Sequence, residues 1–410
     1  LTGVTRAEID SYWERRRNAP SAGAPAKRAA AAFSRAQLEE FARGRPSRAF
    51  GEPYAPYDSG RFVARLPSPP YLFIDRITRV EPEPWVVRPG GWVESEMDVA
   101  PDAWYVAAER SAAVPYCVIL EAALQPCGWL AAYMGSALKS EKPLHVRNLG
   151  GSATVHAAVP ADVGTLLARI RMTHVSGVVD MIIEHFEFEI HAARGIVDSG
   201  STYFGFFTPA ALERQEGIRD ARQAVSAHGP GTMAAEGVAF PHEAPLTPDD
   251  RNRSLAAGMA DPAAALRMID RIDLFLPEGG SRRLGFIRGS KEVDPADWFF
   301  RAHFFQDPVW PGSLGLESFL QLLKFGARQR WPHLAASHRF APAIDRAHRW
   351  TYRGQILPSN RRVTVEASVT EIVEAPHPTM WAEGYLMVDG LPIYRMEDFG
   401  IRLLPENDKE

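Results

Sequence analysis

The feature that most constrains the fold is an internal repeat at a nearly constant spacing. Four short segments of the first half recur in the second half, in the same order and 194 or 195 residues later. The pairs are Phe-Ile-Asp-Arg-Ile (73–77) with Met-Ile-Asp-Arg-Ile (268–272), Gly-Trp-Val (91–93) with Gly-Phe-Ile (285–287), Val-Ala-Pro-Asp-Ala-Trp-Tyr (99–105) with Val-Asp-Pro-Ala-Asp-Trp-Phe (293–299), and Phe-Gly-Phe (204–206) with Phe-Gly-Ile (399–401). Chance explains one such match but not four in order, so the chain is predicted to hold two copies of one unit.

Each copy has the same plan of strands around one long apolar helix. The helices are predicted over roughly residues 116–137 and 313–329, and both are apolar nearly all round, which is typical of buried helices. Short runs of alternating apolar residues indicate antiparallel strands around them, so the fold class is α+β. The predicted domains are 1–50 (a linker or N-terminal extension with one or two short helices), 51–211 (first unit), 212–258 (linker) and 259–410 (second unit).

Length and composition exclude several classes of protein. A chain of 410 residues is too long for one ordinary core. Its net charge of −4, without a long basic run, argues against a nucleic-acid surface, and no apolar run reaches the length of a membrane span. Two cysteines and no signal-peptide pattern indicate a reducing, cytoplasmic location. The first residue is Leu rather than Met, so the chain is expected to be a segment of a longer polypeptide.

The strongest candidate for chemistry lies in residues 298–317 of the second unit. His303 precedes a Pro-Gly pair, Pro311 and Gly312, at the predicted helix entrance, and Glu317 follows inside the helix. Free backbone N–H groups and the helix dipole at such an entrance favour developing negative charge, as on a thioester carbonyl. A histidine can take a proton, and a glutamate whose pKa is raised by burial can donate one. The segment therefore indicates acid–base chemistry beside an activated carbonyl.

The first copy contains a damaged version of this segment. When the copies are aligned on their shared tryptophans, the positions of interest pair as Glu109 with His303, Tyr116 with Gly312, and Glu121 with Glu317. Gln125 lies one turn after Glu121 on the same helix face. The first copy has thus kept the acid and lost both the base and the glycine. The residues alone leave open whether Glu121 or Glu317 works with His303.

Each candidate residue also has a simpler explanation. A single histidine among aromatic side chains is usually a packing or surface residue, and a lone buried glutamate is often a structural hydrogen-bonding group. The repeat and the spacing to the Pro-Gly pair favour the chemical interpretation. Other site types find no support, because Ser313 lies outside a Gly-x-Ser-x-Gly motif, the histidines lack metal-ligand spacing, and no nucleotide-binding glycine motif is present. No metal is expected.

Residues 298–321 resemble the active-site segment of the β-hydroxyacyl-ACP dehydratases of the hot-dog fold, most of all the dehydratase/isomerase type of bacterial fatty-acid synthesis. The segments Ala-Glu-Gly-Tyr-Leu-Met-Val-Asp-Gly (382–390) and Ile-Tyr (393–394) are similar to late strands of that family. In the first half, residues 50–54, 65–76, 124–138 and 203–207 resemble the dehydratase regions of polyunsaturated fatty acid synthases, which are iterative megasynthases. The resemblance covers about residues 40–405.

The resemblance implies a double hot-dog, in which two units form a pseudo-dimer with the site at their interface. The residues that it implies are His303 and Glu121 as catalytic groups, with Gln125, Pro311 and Gly312 as binding groups. The histidine of one unit would face Glu121 of the other, with Glu317 as the alternative acid. The opposite pair, Glu317 and Glu109, would be inactive.

The implied activity is dehydration of (3R)-hydroxyacyl chains to trans-2-enoyl thioesters, with enoyl isomerisation as a second use of the same two groups. The implied partners are acyl carrier protein domains, whose phosphopantetheine holds the substrate, and other domains of a megasynthase. No further cofactor is implied. Two other functions stay open at this point: a hot-dog acyl thioesterase, and a non-catalytic scaffold that docks carrier proteins.

Overall fold

The structure is a computed structural model that describes residues 31–178, 181–221, 238–239, 259–406 and 408. Its main element is one sheet of 14 strands. The strands are β1 Arg76–Glu81, β2 Trp92–Asp98, β3 His145–Val155, β4 Thr165–Val178, β5 Met181–Ala192, β6 Gly195–Phe207, β7 Val238–Ala239, β8 Arg271–Leu276, β9 Phe286–Glu292, β10 His338–Pro342, β11 Ala347–Tyr352, β12 Arg362–Val373, β13 Thr379–Val388 and β14 Leu391–Pro405. They follow in the order β1-β2-β4-β5-β6-β3-β11-β14-β13-β12-β9-β8-β7, and β10 pairs with β14.

The two long helices predicted from the apolar runs lie in the core. The first central helix spans Tyr116–Tyr133 and the second spans Gly312–Arg330, and each follows an extended proline, Pro115 or Pro311. Most side chains of both helices are buried, in agreement with their apolar pattern. The first helix is shorter than predicted because Gly135 adopts a left-handed conformation, with φ +84°, and the chain continues as a 3₁₀ turn.

The sheet curves around both helices in turn. Strands β2, β4 and β5 pack on the first central helix, and β9, β12, β13 and β14 pack on the second. The halves meet where β3 pairs with β11, and there Trp350 lies opposite Gly151, where any side chain would collide with the indole ring. The two central helices also contact each other. An antiparallel sheet that wraps around two central helices confirms the predicted α+β double hot-dog.

Short helices occupy several connections. They are Arg35–Arg43, Pro46–Phe50, Trp104–Glu109, Pro209–Leu212 and Trp298–Ala302, with 3₁₀ helices at Glu52–Tyr57, Ser136–Lys139, Ala264–Leu266 and Pro332–Leu334. The first two lie in the predicted extension of residues 1–50, which was expected to hold one or two short helices, and both are packed against other residues. Leu38 and Phe41 form a buried apolar face, and the ring centroids of Phe50 and Trp129 lie 5.7 Å apart. Residues 1–30 lie outside the described residues.

The predicted linker of residues 212–258 lies mostly outside the described residues, so the unit boundaries stay predictions. Its described parts both contact the second unit. The Ile218 N–H donates to the Pro392 carbonyl, and β7 pairs with β8.

Three further features bear on the class of protein. No helix within the described ranges is long and apolar enough to cross a membrane. In the same part of the chain, no group of three or more His, Cys, Asp or Glu side chains could hold a metal ion. Cys117 and Cys127 are free thiols, and both are buried.

Candidate active site

His303 lies at the end of the short helix Trp298–Ala302 of the second unit, and its ring is buried. Its Nδ1 lies 3.0 Å from the carbonyl oxygen of Val309. A carbonyl can only accept a hydrogen bond, so Nδ1 is assigned the proton and Nε2 keeps a lone pair. Burial lowers the pKa of His303 to about 4. At neutral pH the ring is therefore an uncharged base.

The loop that follows His303 is fastened to the first unit. Arg147, on β3, donates two hydrogen bonds to the carboxylate of Asp307, at 2.7 and 2.8 Å. His145 Nδ1 lies 3.0 Å from the same carboxylate. Although burial would raise it, the hydrogen bonds and the positive charge of Arg147 hold the pKa of Asp307 well below its ordinary value. Because a bidentate Arg–carboxylate pair fixes geometry as well as charge, it positions the His303 loop against the other unit.

Glu121 lies on the first central helix, in the other unit, and only 5% of it is exposed. Its two carboxyl oxygens accept hydrogen bonds from Ser313 Oγ, at 2.6 Å, and from Gln125 Nε2, at 2.9 Å. Burial raises the pKa of Glu121 above its ordinary value, and the two hydrogen bonds oppose this rise only in part. The carboxyl group can therefore hold its proton at a higher pH than a free glutamate and donate it to a ligand.

Gln125 ties Glu121 to the segment before the first strand. Its side-chain amide donates to the Tyr71 carbonyl at 2.8 Å. The Tyr71 hydroxyl lies 2.7 Å from Ser313 Oγ, and the Tyr71 ring centroid lies 6.2 Å from that of His303. Tyr71 therefore connects the surroundings of the carboxyl group with those of the histidine.

One cavity between the two units brings most of the predicted site residues together. The candidate residues that line it are His303, Glu121, Gln125 and Gly312, together with Ser313. The other lining residues are Arg65, Leu66, Pro67, Leu124, Gly128, Val146, Arg147, Asn148, Phe204, Phe304, Val309, Trp310, Tyr352, Gly354, Gln355 and Tyr394. Pro311, predicted as a binding residue, does not line the cavity. It is the N-cap residue that starts the second central helix.

Gly312 is the first residue of the second central helix, where backbone N–H groups lack partners within the helix. Its carbonyl accepts a hydrogen bond from the Tyr352 hydroxyl at 3.0 Å, and a Cβ here would come within 2.6 Å of the Tyr352 ring. Only glycine fits against that ring. The helix dipole adds partial positive charge at this end, so the position suits an oxygen that gains negative charge.

Glu317, the alternative acid, does not line this cavity. It is buried on the second central helix, where Gln321 Nε2 donates to its carboxylate at 3.0 Å and Lys324 Nζ lies 3.4 Å away. Lys324 Nζ also donates to Glu109, at 2.6 Å. The two carboxyl groups predicted to form the inactive pair are thus joined by a buried lysine. We call Glu109, Glu317, Gln321 and Lys324 the mirror cluster.

The charges of the mirror cluster hold it together. Although burial lowers it, the charges of Glu109 and Glu317 keep the pKa of Lys324 above its ordinary value. Burial raises the pKa of Glu109 to about 7, while the charge of Lys324 opposes that rise. One lysine balances one carboxylate, so the cluster approaches neutrality when Glu109 takes up a proton. The cluster contains a bound cation where the cavity contains a neutral base.

Sequence reasoning does not identify three residues that shape these sites. Tyr71 lies in a loop before β1, and its distance along the sequence from either central helix follows no motif. Ser313 lacks the motif of a nucleophile, and its actual contact is the hydrogen bond to Glu121. Lys324 does carry a signal, because a charged residue on an otherwise buried helix face needs a charged partner nearby.

Comparisons with known proteins indicate the family of the chain. Residues 261–397 match the family model of the FabA-like domain. The chain is 31% identical over 386 residues to a polyunsaturated fatty acid synthase subunit of Thraustochytrium sp.. This match covers 89% of the chain and 26% of the relative, so the chain spans about a quarter of that protein's length.

Solved structures that resemble the chain carry two kinds of activity in their names. A trans-AT polyketide synthase dehydratase domain from Brevibacillus brevis is 11% identical, with a TM-score of 0.44, and the match covers 76% of this chain and 94% of that one. A 12:0-ACP thioesterase from Umbellularia californica is 8% identical, with a TM-score of 0.40, and the match covers 77% and 94%. At these values neither similarity distinguishes the two activities.

The sequence comparisons are more informative about the chain than the structural comparisons. The predicted resemblance to the dehydratase regions of polyunsaturated fatty acid synthases is confirmed by the identity to the Thraustochytrium synthase. The FabA-like match lies in the half that holds His303 and Gly312. The second half of the chain is thus similar to the FabA-like domain, and most of the chain is similar to part of a polyunsaturated fatty acid synthase subunit.

Proposed function

We propose that the chain dehydrates (3R)-hydroxyacyl thioesters to trans-2-enoyl thioesters and water. The observation that carries the proposal is that His303 and Glu121, from different units, line one cavity. The reaction needs a base for the proton on the α-carbon and an acid for the β-hydroxyl group. Burial has opposite effects on the two groups: it favours the neutral imidazole and the protonated carboxyl, which are the forms that the reaction uses.

The proposed reaction uses three groups of the chain. His303 Nε2 takes the α-proton, and the electron pair moves toward the thioester carbonyl. The N–H of Gly312 stabilises the carbonyl oxygen as it gains negative charge. Glu121 gives its proton to the β-hydroxyl group, which leaves as water while the carbon–carbon double bond forms. Return of the proton from His303 to Glu121 restores both groups.

The proposed substrate is carried on the phosphopantetheine of an acyl carrier protein within a megasynthase. The similarity to part of a polyunsaturated fatty acid synthase supports this context. The three groups complete the proposed reaction without a cofactor. Isomerisation of the enoyl product would use the same base and acid, with the proton returned to a different carbon.

A product assay tests the proposal. Purified protein is incubated with a hydroxyacyl thioester on an acyl carrier protein, and the acyl-carrier product is analysed by mass spectrometry. The expected product has lost one water and keeps its thioester bond. Release of a free acid would instead identify a thioesterase, which needs no paired histidine. Binding of the carrier protein without any product would identify a docking scaffold.

The rate should depend on pH with a bell-shaped profile. kcat/KM should rise as the pH passes about 4, because His303 cannot accept a proton below its lowered pKa of about 4. It should fall at higher pH as Glu121 loses its proton, with a pKa above that of free glutamate. The measurement is kcat/KM across the pH range in which the protein stays folded. A lower limb at the ordinary histidine pKa would contradict the neutral, buried base.

A further inference from the structure

The two central helices differ at one position that decides how much space remains beside the acid. Gly128 follows Glu121 by seven residues, which places both on one face of the first helix. In the second helix the same step leads from Glu317 to Lys324. Gly128 and Lys324 are therefore equivalent positions of the two units.

Gly128 leaves open space in the cavity that His303 also lines. A Cβ placed on Gly128 would meet nothing within 4 Å outside its own stretch of helix. Its neighbours Cys127 and Trp129 are buried, whereas Gly128 is half-buried. Alanine would fit here and would favour the helix more than glycine does. The space that a larger side chain would occupy is the simplest reason for a glycine.

Lys324 fills the equivalent space of the second unit. Its side chain is buried, and its ammonium group lies 3.4 Å from Glu317 and 2.6 Å from Glu109. Glu109 stands at the position that aligns with His303. The lysine therefore extends from the helix past the carboxyl group of Glu317 to the position of the missing base. A ligand at the equivalent position would have to displace this buried ion cluster.

We propose that Gly128 sets the length of acyl chain that the site accepts, and that Lys324 closes the equivalent channel of the second unit. The inference rests on the proposed dehydration. Seven residues of helix rise by about 10 Å, so an acyl chain whose β-carbon lies at Glu121 reaches Gly128 only several carbons later. Apolar side chains along the cavity suit such a chain: Leu124, Val146 and Phe204. The substrate class is a medium or long acyl chain rather than a short one.

Substitutions at Gly128, assayed with thioesters of increasing chain length, test the inference. Gly128→Ala and Gly128→Leu fill the space in two steps. For Gly128→Leu, kcat/KM with a hydroxydodecanoyl thioester should fall at least about tenfold more than with a hydroxybutyryl thioester, because a few methylene groups in a closed pocket discriminate by this order. Gly128→Ala should show a smaller effect in the same direction. Its melting temperature should not fall.

Gly326→Ala is the matched control on the second central helix. Gly326 does not line the cavity, and its Cβ would come within 2.6 Å of Ile287. This variant should lower the melting temperature and affect all chain lengths alike. An equal loss for every chain length in Gly128→Leu, or no loss, would overturn the inference. A wild-type protein that forms enoyl product from no chain length would contradict the proposed function instead.

Discussion

Glu121→Gln should abolish enoyl formation, whereas Glu317→Gln should retain most of it. The two glutamates occupy equivalent positions, and each accepts a hydrogen bond from a glutamine four residues later. Only Glu121 lines the cavity with His303. Glutamine keeps the size of the side chain but cannot donate the proton, so kcat should fall by about 10² to 10⁴-fold, the usual contribution of a general acid. The initial rate of enoyl formation measures both variants.

His303→Ala should lose activity to a similar extent, because it removes the base from the same cavity. The melting temperatures of all three variants show whether a loss of rate reflects lost folding. If Glu317→Gln were inactive and Glu121→Gln active, the acid would be Glu317 of the second unit. A protein in which all three variants keep full activity would have its chemistry elsewhere.

Lys324→Met should destabilise the protein by about 3–5 kcal/mol, the usual effect of breaking a buried ion pair. Methionine approaches lysine in length and leaves the carboxyl groups of Glu109 and Glu317 without their cation. The loss of stability should be larger near pH 8 than near pH 5. Because the pKa of Glu109 is about 7, its carboxyl group is mostly ionised at pH 8 and needs the lysine, whereas it is mostly protonated at pH 5. Stability linked to such a raised pKa is present at low pH and is lost as the pH rises through the folded-state value. Urea unfolding at both pH values measures the effect.

The triple variant Glu109→Gln, Glu317→Gln, Lys324→Met is the control for this prediction. It removes both charges together with the lysine, so it should recover most of the stability lost by Lys324→Met. Both proteins should also keep dehydratase activity while they are folded, since the mirror cluster lies outside the cavity. Equal destabilisation in the single and triple variants would mean that packing of the lysine stem, rather than its charge, holds the cluster together.

The fold was predictable because the repeat and the two buried helices are local signals. The helices at Tyr116–Tyr133 and Gly312–Arg330 are apolar on every side, so their burial does not depend on what covers them. The junction of β3 with β11 was not predictable in the same way. Two strands that are far apart in the sequence become neighbours because the two units pack against each other. The alternation of apolar and polar side chains along each strand does not identify its partner strand.

Composition predicted short helices within residues 1–50 but did not predict how Arg35–Arg43 and Pro46–Phe50 pack. Their sequence is rich in Ala and Arg, which resembles a linker. The apolar residues Leu38, Phe41 and Ala42 nevertheless share one face of Arg35–Arg43 and are buried. A face of three residues is a weak signal within so short a helix, although Phe41 packs against Phe50 and Tyr54 on the next two short helices.

The candidate site was predictable in its parts rather than in its connections. Spacing and family resemblance point to His303, Glu121 and Gly312. The hydrogen bond from Ser313 to Glu121 joins residues 192 positions apart. This hydrogen bond depends on how the two units pack against each other, and no local sequence pattern around Ser313 or Glu121 predicts it. Tyr71, which contacts Ser313 from a loop, escapes prediction for the same reason.

The β3–β11 junction holds two unlike units in one chain, and this has a consequence for how they can diverge. In a symmetric homodimer every substitution appears at both ends of the interface. A lysine that closed one channel would then close the other, and the enzyme would be lost. In a single chain the positions of Gly128 and Lys324 can mutate independently. One end of the interface can then become a structural ion cluster while the other keeps its cavity. Selection for catalysis would then act on the two units together, because Glu121 of the first unit and His303 of the second line the same cavity.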